Sequence, residues 1–435
     1  MSAGDQPPEI RVAPPGPTSR TWLVRHQHVA APMGPMLPPG PPSSIVYATG
    51  RGSNVTDVDG NRYVDLACGF GALLLGHLHP AVQRVIALQS ERLMQALGDL
   101  YPADAKIALL ERLTKLYPEP NAKGILAQSG SDAVSAALKT AQLATGKPGV
   151  LAFSGAYHGL GYGPLAACGL RESYRAPFRE QLNPHVSFVP FPVDEAAAVD
   201  CLTECRARLQ RGDVGALLIE PLLGRGGVLT PPPGFLLALQ QLARESRALL
   251  IADEIWTGLG RAGSWLSSLA AGALPDLICL GKGLGGGLPM SAVIGSDAVM
   301  QSWRREAEVV HTATFAGTPL AASAAIATLD VLTKEKLPER ARSLGASFAA
   351  ELREALAGKS RVREVRGQGL MLGIDLGQSP GVASRLMKGL LGAGYVTSTG
   401  GGQREVLVLT PPLNIDEGVL RASVPVIAEQ IARLG

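Results

Sequence analysis

Leu280-Gly281-Lys282-Gly283-Leu284-Gly285-Gly286-Gly287-Leu288-Pro289-Met290 sets a lysine in a run of glycines. Glycine leaves the backbone open to the close approach of a flat ligand, so Lys282 reads as a side chain with room beside it. Two other readings of this run fail. Gly281, Gly283 and Gly286 satisfy G-x-G-x-x-G after the strand-like Asp276-Leu277-Ile278-Cys279-Leu280. A dinucleotide fingerprint, however, opens a helix and leads to an acidic residue about 20 positions on. Here Leu288-Pro289-Met290-Ser291-Ala292-Val293-Ile294-Gly295 predicts a turn and then a strand. A Walker A loop requires Ser or Thr after the lysine, and Gly283 stands there.

Upstream, Leu249-Leu250-Ile251-Ala252-Asp253-Glu254-Ile255 predicts a buried strand that delivers a carboxylate at its C-terminal end. A lysine attacks a carbonyl when burial or a neighbouring charge lowers its pKa. An aspartate facing a pyridine nitrogen keeps that nitrogen protonated, and the ring then serves as an electron sink. Lys282 and Asp253 together therefore point to pyridoxal 5′-phosphate, with Lys282 as its Schiff-base lysine. Ser129-Gly130-Ser131-Asp132 precedes the helical pattern Ala133 to Ala144, and amides at a helix N-terminus form a phosphate seat. Phe153-Ser154-Gly155-Ala156-Tyr157-His158-Gly159 follows a strand and offers Tyr157 as a stacking face. Ile255, two residues after Asp253, is expected on the same strand face, covering the other side.

Hairpin-like alternation around Asp59-Gly60-Asn61 opens the ordered chain at Val55 to Asp65. Helices are expected over Ala81 to Gln95 and Asp104 to Leu116. Strands are expected at Gly149 to Phe153, Val186 to Pro190, Ala216 to Glu220, Leu249 to Asp253 and Leu277 to Leu280. Such alternation predicts a mostly parallel α/β sheet with active residues at strand ends. An alanine-rich helix from Pro319 to about Lys334 leads to a second unit with its own helix from Ala341 and a strand at Met371 to Leu376. The expected domains are a proline-rich segment 1–45, partly extended or disordered, a large cofactor-binding domain 46–325, and a small C-terminal domain 326–435. Residues 46–75 are placed to pack with the small one.

The 435 residues carry 40 basic and 37 acidic side chains, a formal net charge of +3. No long basic run points to nucleic acid or a membrane surface, which leaves small molecules as partners. Cys68, Cys168, Cys201, Cys205 and Cys279 are odd in number and lack paired CxxC spacing, as suits a reducing compartment. No stretch reaches the ~18 apolar residues of a membrane span and no secretory leader is visible, so a cytoplasmic location is expected.

The chain resembles the class III pyridoxal-phosphate aminotransferases of fold type I, the group that includes ω-amino acid and amine transaminases, over nearly everything after residue 45. The motifs are Ser129-Gly130-Ser131-Asp132-Ala133, Tyr157-His158-Gly159, Glu220-Pro221-Leu222-Leu223-Gly224-Arg225-Gly226-Gly227, Asp253 to Gly263, Lys282 in its glycines, Thr312 to Leu320, and Pro411-Pro412-Leu413. The resemblance implies a large domain with a mostly parallel seven-stranded sheet and a smaller α+β domain. It implies that Ser129, Gly130, Ser131, Tyr157, His158, Glu220, Asp253, Ile255 and Lys282 bind the cofactor, with Lys282 and Asp253 catalytic. It also implies a homodimer in which Thr314 reaches the phosphate of the neighbouring subunit, and a ping-pong exchange between an amine donor and a keto acid such as pyruvate or 2-oxoglutarate.

Departures from the family pattern bear on substrate. Members acting on α-carboxylates often carry an arginine three residues before the Pro-Pro pair, where this chain has Val408. Arg225 replaces a glutamate or small residue, Trp256 a glutamine, and Phe70 a tyrosine. Phe70 and Trp256 are expected to form an apolar amine pocket, and Arg225 or Arg404 to hold the keto acid's carboxylate. Aminomutases and racemases of the same fold use the same cofactor residues, and a silent cofactor-binding protein would retain them as well.

Overall fold

The computed structural model describes residues 4–32, 44–304, 309–377 and 379–434. Its centre is a seven-stranded sheet: β1 (Lys123–Ala127), β2 (Gly149–Phe153), β3 (Val186–Val189), β4 (Val214–Ile219), β5 (Leu249–Asp253), β6 (Leu277–Leu280) and β7 (Ser291–Gly295). The strand order is β1-β7-β6-β5-β4-β2-β3, and β7 alone runs against its neighbours. Strands of such a sheet are covered by helices on both faces, which is why β4, β5 and β6 read as continuous apolar runs. Leu217, Leu218, Ile251, Leu277 and Ile278 are all fully buried, each contributing about 1.5–3 kcal/mol relative to exposure.

The parallel strands bring their C-terminal ends to one edge. Ala127 leads to Ser129, Phe153 to Tyr157, Ile219 to Glu220, and Leu280 to Lys282, while Asp253 is the last residue of β5. Register tightens this grouping. Asp253 lies opposite Cys279 on β6, and the Glu254 amide donates to the Cys279 carbonyl.

Two smaller sheets flank the centre. Glu364–Gln368, Met371–Asp375, Val406–Leu409 and Ser398–Gly400 form an antiparallel sheet. Tyr47–Arg51, Asn54–Asp57 and Arg62–Asp65 make the expected N-terminal hairpin and its extension, joined in parallel by Tyr395–Val396. The helix Pro319–Lys334 packs against Pro80–Ser90 and Asp104–Thr114 before the chain enters Leu337–Leu356.

Several expectations are corrected. The helix expected to run to Gln95 stops at Ser90, where the Gln89 side chain donates to the Leu93 carbonyl and the chain turns away. The helix expected from Ala341 already starts at Leu337, with Pro338 in its first turn. Edge strand β1 was not expected, since Lys123-Gly124-Ile125-Leu126-Ala127 is short and begins with residues of low strand preference. Within the proline-rich segment, Pro17–Val29 is a helix with proline at its first position, where a missing N–H costs nothing. Pro35, Pro38, Pro39, Pro41 and Pro42 lie outside the described residues.

Candidate active site

A cavity of about 260 Å³ opens where the strands end, lined by Gly130, Ser131, Tyr157 to Leu160, Glu220, Arg225, Asp253, Ile255, Trp256 and Lys282. Lys282 begins a 3-10 turn directly after β6 with φ 42°. The turn is wedged tightly, because a Cβ on Gly283 would meet Leu74 Cγ at 2.2 Å and one on Gly281 would meet Ser291 Oγ at 2.6 Å. Lys282 Nζ lies 4.5 Å from the centroid of the Trp256 ring. Burial lowers the Lys282 pKa from 10.5 to about 8, against the opposing pull of the Asp253 and Glu220 carboxylates.

Asp253 is 3% exposed. Its Oδ2 pairs with His158 Nδ1 at 2.8 Å, and its Oδ1 accepts from the Ile255 amide at 3.1 Å. His158 thus orients the acid as well as lining the cavity. Ile255 is not on the strand as expected, since β5 ends at Asp253 and Ile255 lies in the following turn. It still covers the cavity, packing where a Cβ on Gly130 or Gly281 would stand.

Ser129 caps the helix Gly130–Thr145, accepting from the Asp132 amide, while Asp132 Oδ2 accepts from the Gln128 amide. This reciprocal cap holds the helix start at the cavity, leaving the first-turn amides of Gly130 and Ser131 to face it. Ser131 Oγ accepts from the Gly161 amide and ties this end to the Tyr157–Gly161 loop. Glu220 is the second buried carboxyl. Its Oε1 accepts from the Tyr157 amide at 2.7 Å and its Oε2 from the Gly224 amide at 2.9 Å. Burial raises its pKa to about 7, helped by the nearby Asp253. Both oxygens are committed to backbone, so Glu220 clips the Tyr157 loop to the Gly224 turn.

Trp256 is 7% exposed and packs with Leu222, Val228, Met371, Val406 and Val408. Arg225 stands over the Tyr157 ring at 4.6 Å. Besides Ser129, which caps the helix without lining the cavity, three expected site residues are not brought to it. Phe70 is 61% exposed in the Cys68–Gly71 turn, although its neighbour Gly71 abuts Trp256. Arg404 is exposed in the loop after Gly400. Thr314 is also exposed, its carbonyl accepting from the Gln95 side chain. Gly159, the last residue of the Tyr157-His158-Gly159 motif, lines the cavity without an expected role of its own, as does Leu160 just beyond it.

The family model for class-III aminotransferases matches residues 38–431. The chain belongs to the class-III aminotransferase family. This aminotransferase is 36% identical over 393 residues to an acetylornithine aminotransferase from Methanothermobacter thermautotrophicus, covering 90% of this chain and 94% of the relative. It is 30% identical over 448 aligned positions to an alanine/serine racemase from Pyrococcus horikoshii, covering 98% and 92%. In structure it matches an amine transaminase from an uncultivated Pseudomonas species, solved with pyridoxal phosphate bound, with a TM-score of 0.85 and 28% identity over 93% of this chain and 98% of that one. Fold type I and the seven-stranded sheet are as expected.

The cofactor of this aminotransferase is pyridoxal 5′-phosphate, and its reaction transfers an amino group to a keto acid. The lining fits that cofactor on its own chemistry. It offers an amine of depressed pKa, a buried carboxylate held by a histidine, helix amides for a phosphate, and an aromatic and an aliphatic side chain for the faces of a ring. His158 Nε2, on a lining residue, is buried without a hydrogen-bond partner among the described residues, and Trp256 Nε1, likewise unpaired, stands against Gly71.

Among the described residues no helix is long and apolar enough to cross a membrane.

The Lys282 shift has a sign. Only the neutral amine attacks a carbonyl, and a lysine of pKa about 8 is about one-tenth neutral at pH 7. Covalent attachment of pyridoxal phosphate to the cofactor-free protein is therefore expected to quicken as pH rises and to level off just above 8. Stopped-flow absorbance across pH 6–10 checks this; a rate still climbing steeply between 9 and 10 would mean an unshifted lysine.

Proposed function

We propose that this aminotransferase takes its amino group from a primary amine or ω-amino acid and passes it to pyruvate or 2-oxoglutarate in two alternating half-reactions. The observation that carries the reading is the meeting of Lys282 and Asp253 at the ends of adjacent strands, in one cavity with the capped helix start. When bound, the cofactor supplies an electron sink for the carbon that loses its proton. Lys282 holds the cofactor and, once released, moves a proton as general acid and base. Asp253, fixed by His158, supplies the negative charge that keeps a ring nitrogen protonated. Gly130 and Ser131, with Ser129 as their cap, seat the phosphate. Tyr157 and Ile255 face the ring, and Trp256 forms the apolar wall on the donor's side.

A homodimer with shared sites is part of the proposal. It is supported by the exposed Thr314 and by a band of exposed apolar side chains that includes Met94, Leu97, Leu100, Tyr101 and Phe315. In the dimer, Phe70 and Thr314 serve the site from the subunit boundary. We place the enzyme in the cytoplasm and divide the chain into a large domain, 46–325, and a small one, 326–435.

The test is absorption spectroscopy of the loaded enzyme with a panel of amines, first without any keto acid. Loss of the cofactor band with one equivalent of carbonyl product supports the donor half-reaction; a band unmoved by every amine and ω-amino acid overturns it. The racemase relative aligns along nearly the whole chain, so chiral analysis of the same mixtures is included. Inversion of the donor without carbonyl product would favour racemisation.

A further inference from the structure

The cavity wall carries two cations, Lys282 and Arg225, beside His158, which is tied to Asp253. Lys282 is committed to the cofactor, which leaves Arg225. No carboxylate among the described residues neutralises it. The nearest acid on its own segment, Glu220, has both oxygens engaged by backbone amides, and the guanidinium rests over the Tyr157 ring. Other arginines of this region are occupied: Arg171 donates to the carbonyls of Gly401 and Gly402, and Arg366 pairs with Asp375 and Glu364.

The backbone that carries Arg225 is held on every side. The Gly224 amide is bound by Glu220, the Arg225 carbonyl accepts from the Gly401 amide at 2.8 Å, and the Gly227 and Val228 amides return to the Gly224 carbonyl. A Cβ on Gly224 would meet the Trp256 ring at 2.3 Å and one on Gly226 the Gly155 carbonyl at 2.7 Å. A guanidinium on so fixed a turn is presented to the cavity rather than trailing in solvent. The apolar part of the lining includes Leu160, Ile255 and Trp256, and Trp256 lies buried with Val408, Val406 and Met371.

We propose that Arg225 is the carboxylate receptor of this site and that the acceptor is a monocarboxylic 2-oxo acid. This rests on the half-reactions proposed above. A planar guanidinium binds a planar carboxylate through two parallel hydrogen bonds. With Lys282 committed to the cofactor, a second carboxylate would find no second cation among the described residues of this wall, and a charge brought there unpaired is strongly disfavoured. Pyruvate therefore fits better than 2-oxoglutarate.

The experiment loads the enzyme with pyridoxamine phosphate and follows single turnovers with pyruvate or 2-oxoglutarate, so it needs no amine donor. Failure of the donor reading and failure of this inference are thereby separated. Wild type is expected to favour pyruvate by at least about tenfold in kcat/KM. Arg225→Gln is expected to lose about 10²-fold with pyruvate, mainly in KM, and Arg225→Lys to recover only part of it. Arg404→Gln, in an exposed residue away from the cavity, is expected to change the value less than about twofold. A preference for 2-oxoglutarate, or Arg225→Gln within threefold of wild type with pyruvate, overturns the inference. So does an equal loss in Arg225→Gln for a carboxylate-free carbonyl acceptor, because damage of that kind is not carboxylate recognition. A misfolded Arg225→Gln would be recognised by its failure to attach pyridoxal phosphate at Lys282, and Arg225→Lys then carries the comparison.

Discussion

Lys282→Ala is expected to lower turnover by at least about 10⁴-fold, the upper end of what a positioned acid/base group contributes, because the same amine also anchors the cofactor. Nothing else in the cavity replaces it. Among the described residues the only other cation in the wall that is not tied to a carboxylate is Arg225, and a guanidinium does not deprotonate near neutral pH. Cofactor uptake should survive in weakened, non-covalent form, since the helix start at Gly130, the Tyr157 face and Asp253 do not depend on the lysine for their positions. Removing the side chain also uncovers the Trp256 ring on which the amine rests. Steady-state rates and equilibrium dialysis with pyridoxal phosphate separate the two effects. A variant retaining a tenth of wild-type turnover would sink the assignment of Lys282 and with it the site.

The parts of this molecule that were legible in the sequence are those whose cause is local. β5 and β6 are buried on both faces, so they are continuous apolar runs, and a carboxylate or a glycine-set lysine at the end of such a run stands out. Ser129 and Asp132 form a cap within four residues, which marks the helix start from sequence alone. The parts that were not legible have distant causes. The helix Pro17–Val29 is started by Asp59, whose carboxylate accepts from the Thr18 and Ser19 amides across some forty residues; locally, only its prolines are visible. His158 is expected at the cofactor, but its pairing with Asp253 joins a loop to a strand end 95 positions away. Arg225 and Arg404 are equivalent on paper. What distinguishes them is a turn bound by Glu220 and Gly401 on one side and an exposed loop on the other.

Asp253→Asn is the sharper test of how the wall divides its labour. The substitution keeps the shape and one acceptor oxygen but removes the charge, and loss of a preorganised electrostatic group of this kind typically costs about 10²–10³-fold in kcat. With its oxygen kept on the Ile255 amide, the new side chain turns an N–H toward His158 Nδ1, and His158 then holds it only as the acceptor tautomer. Orientation is therefore weakened along with charge. A second readout tells the two apart. The Asp253 carboxylate favours the charged form of Lys282 and opposes the lowering caused by burial. Without it the lysine pKa should fall below about 8, and the pH at which pyridoxal phosphate attachment levels off should move down with it. A fall in turnover with that shift means the charge itself was lost at the site. The same fall with an unmoved pH profile would mean that Asp253 acts on the cofactor ring alone, too far from Lys282 for the two to share one field. Turnover within tenfold of wild type would remove Asp253 from the catalytic pair altogether.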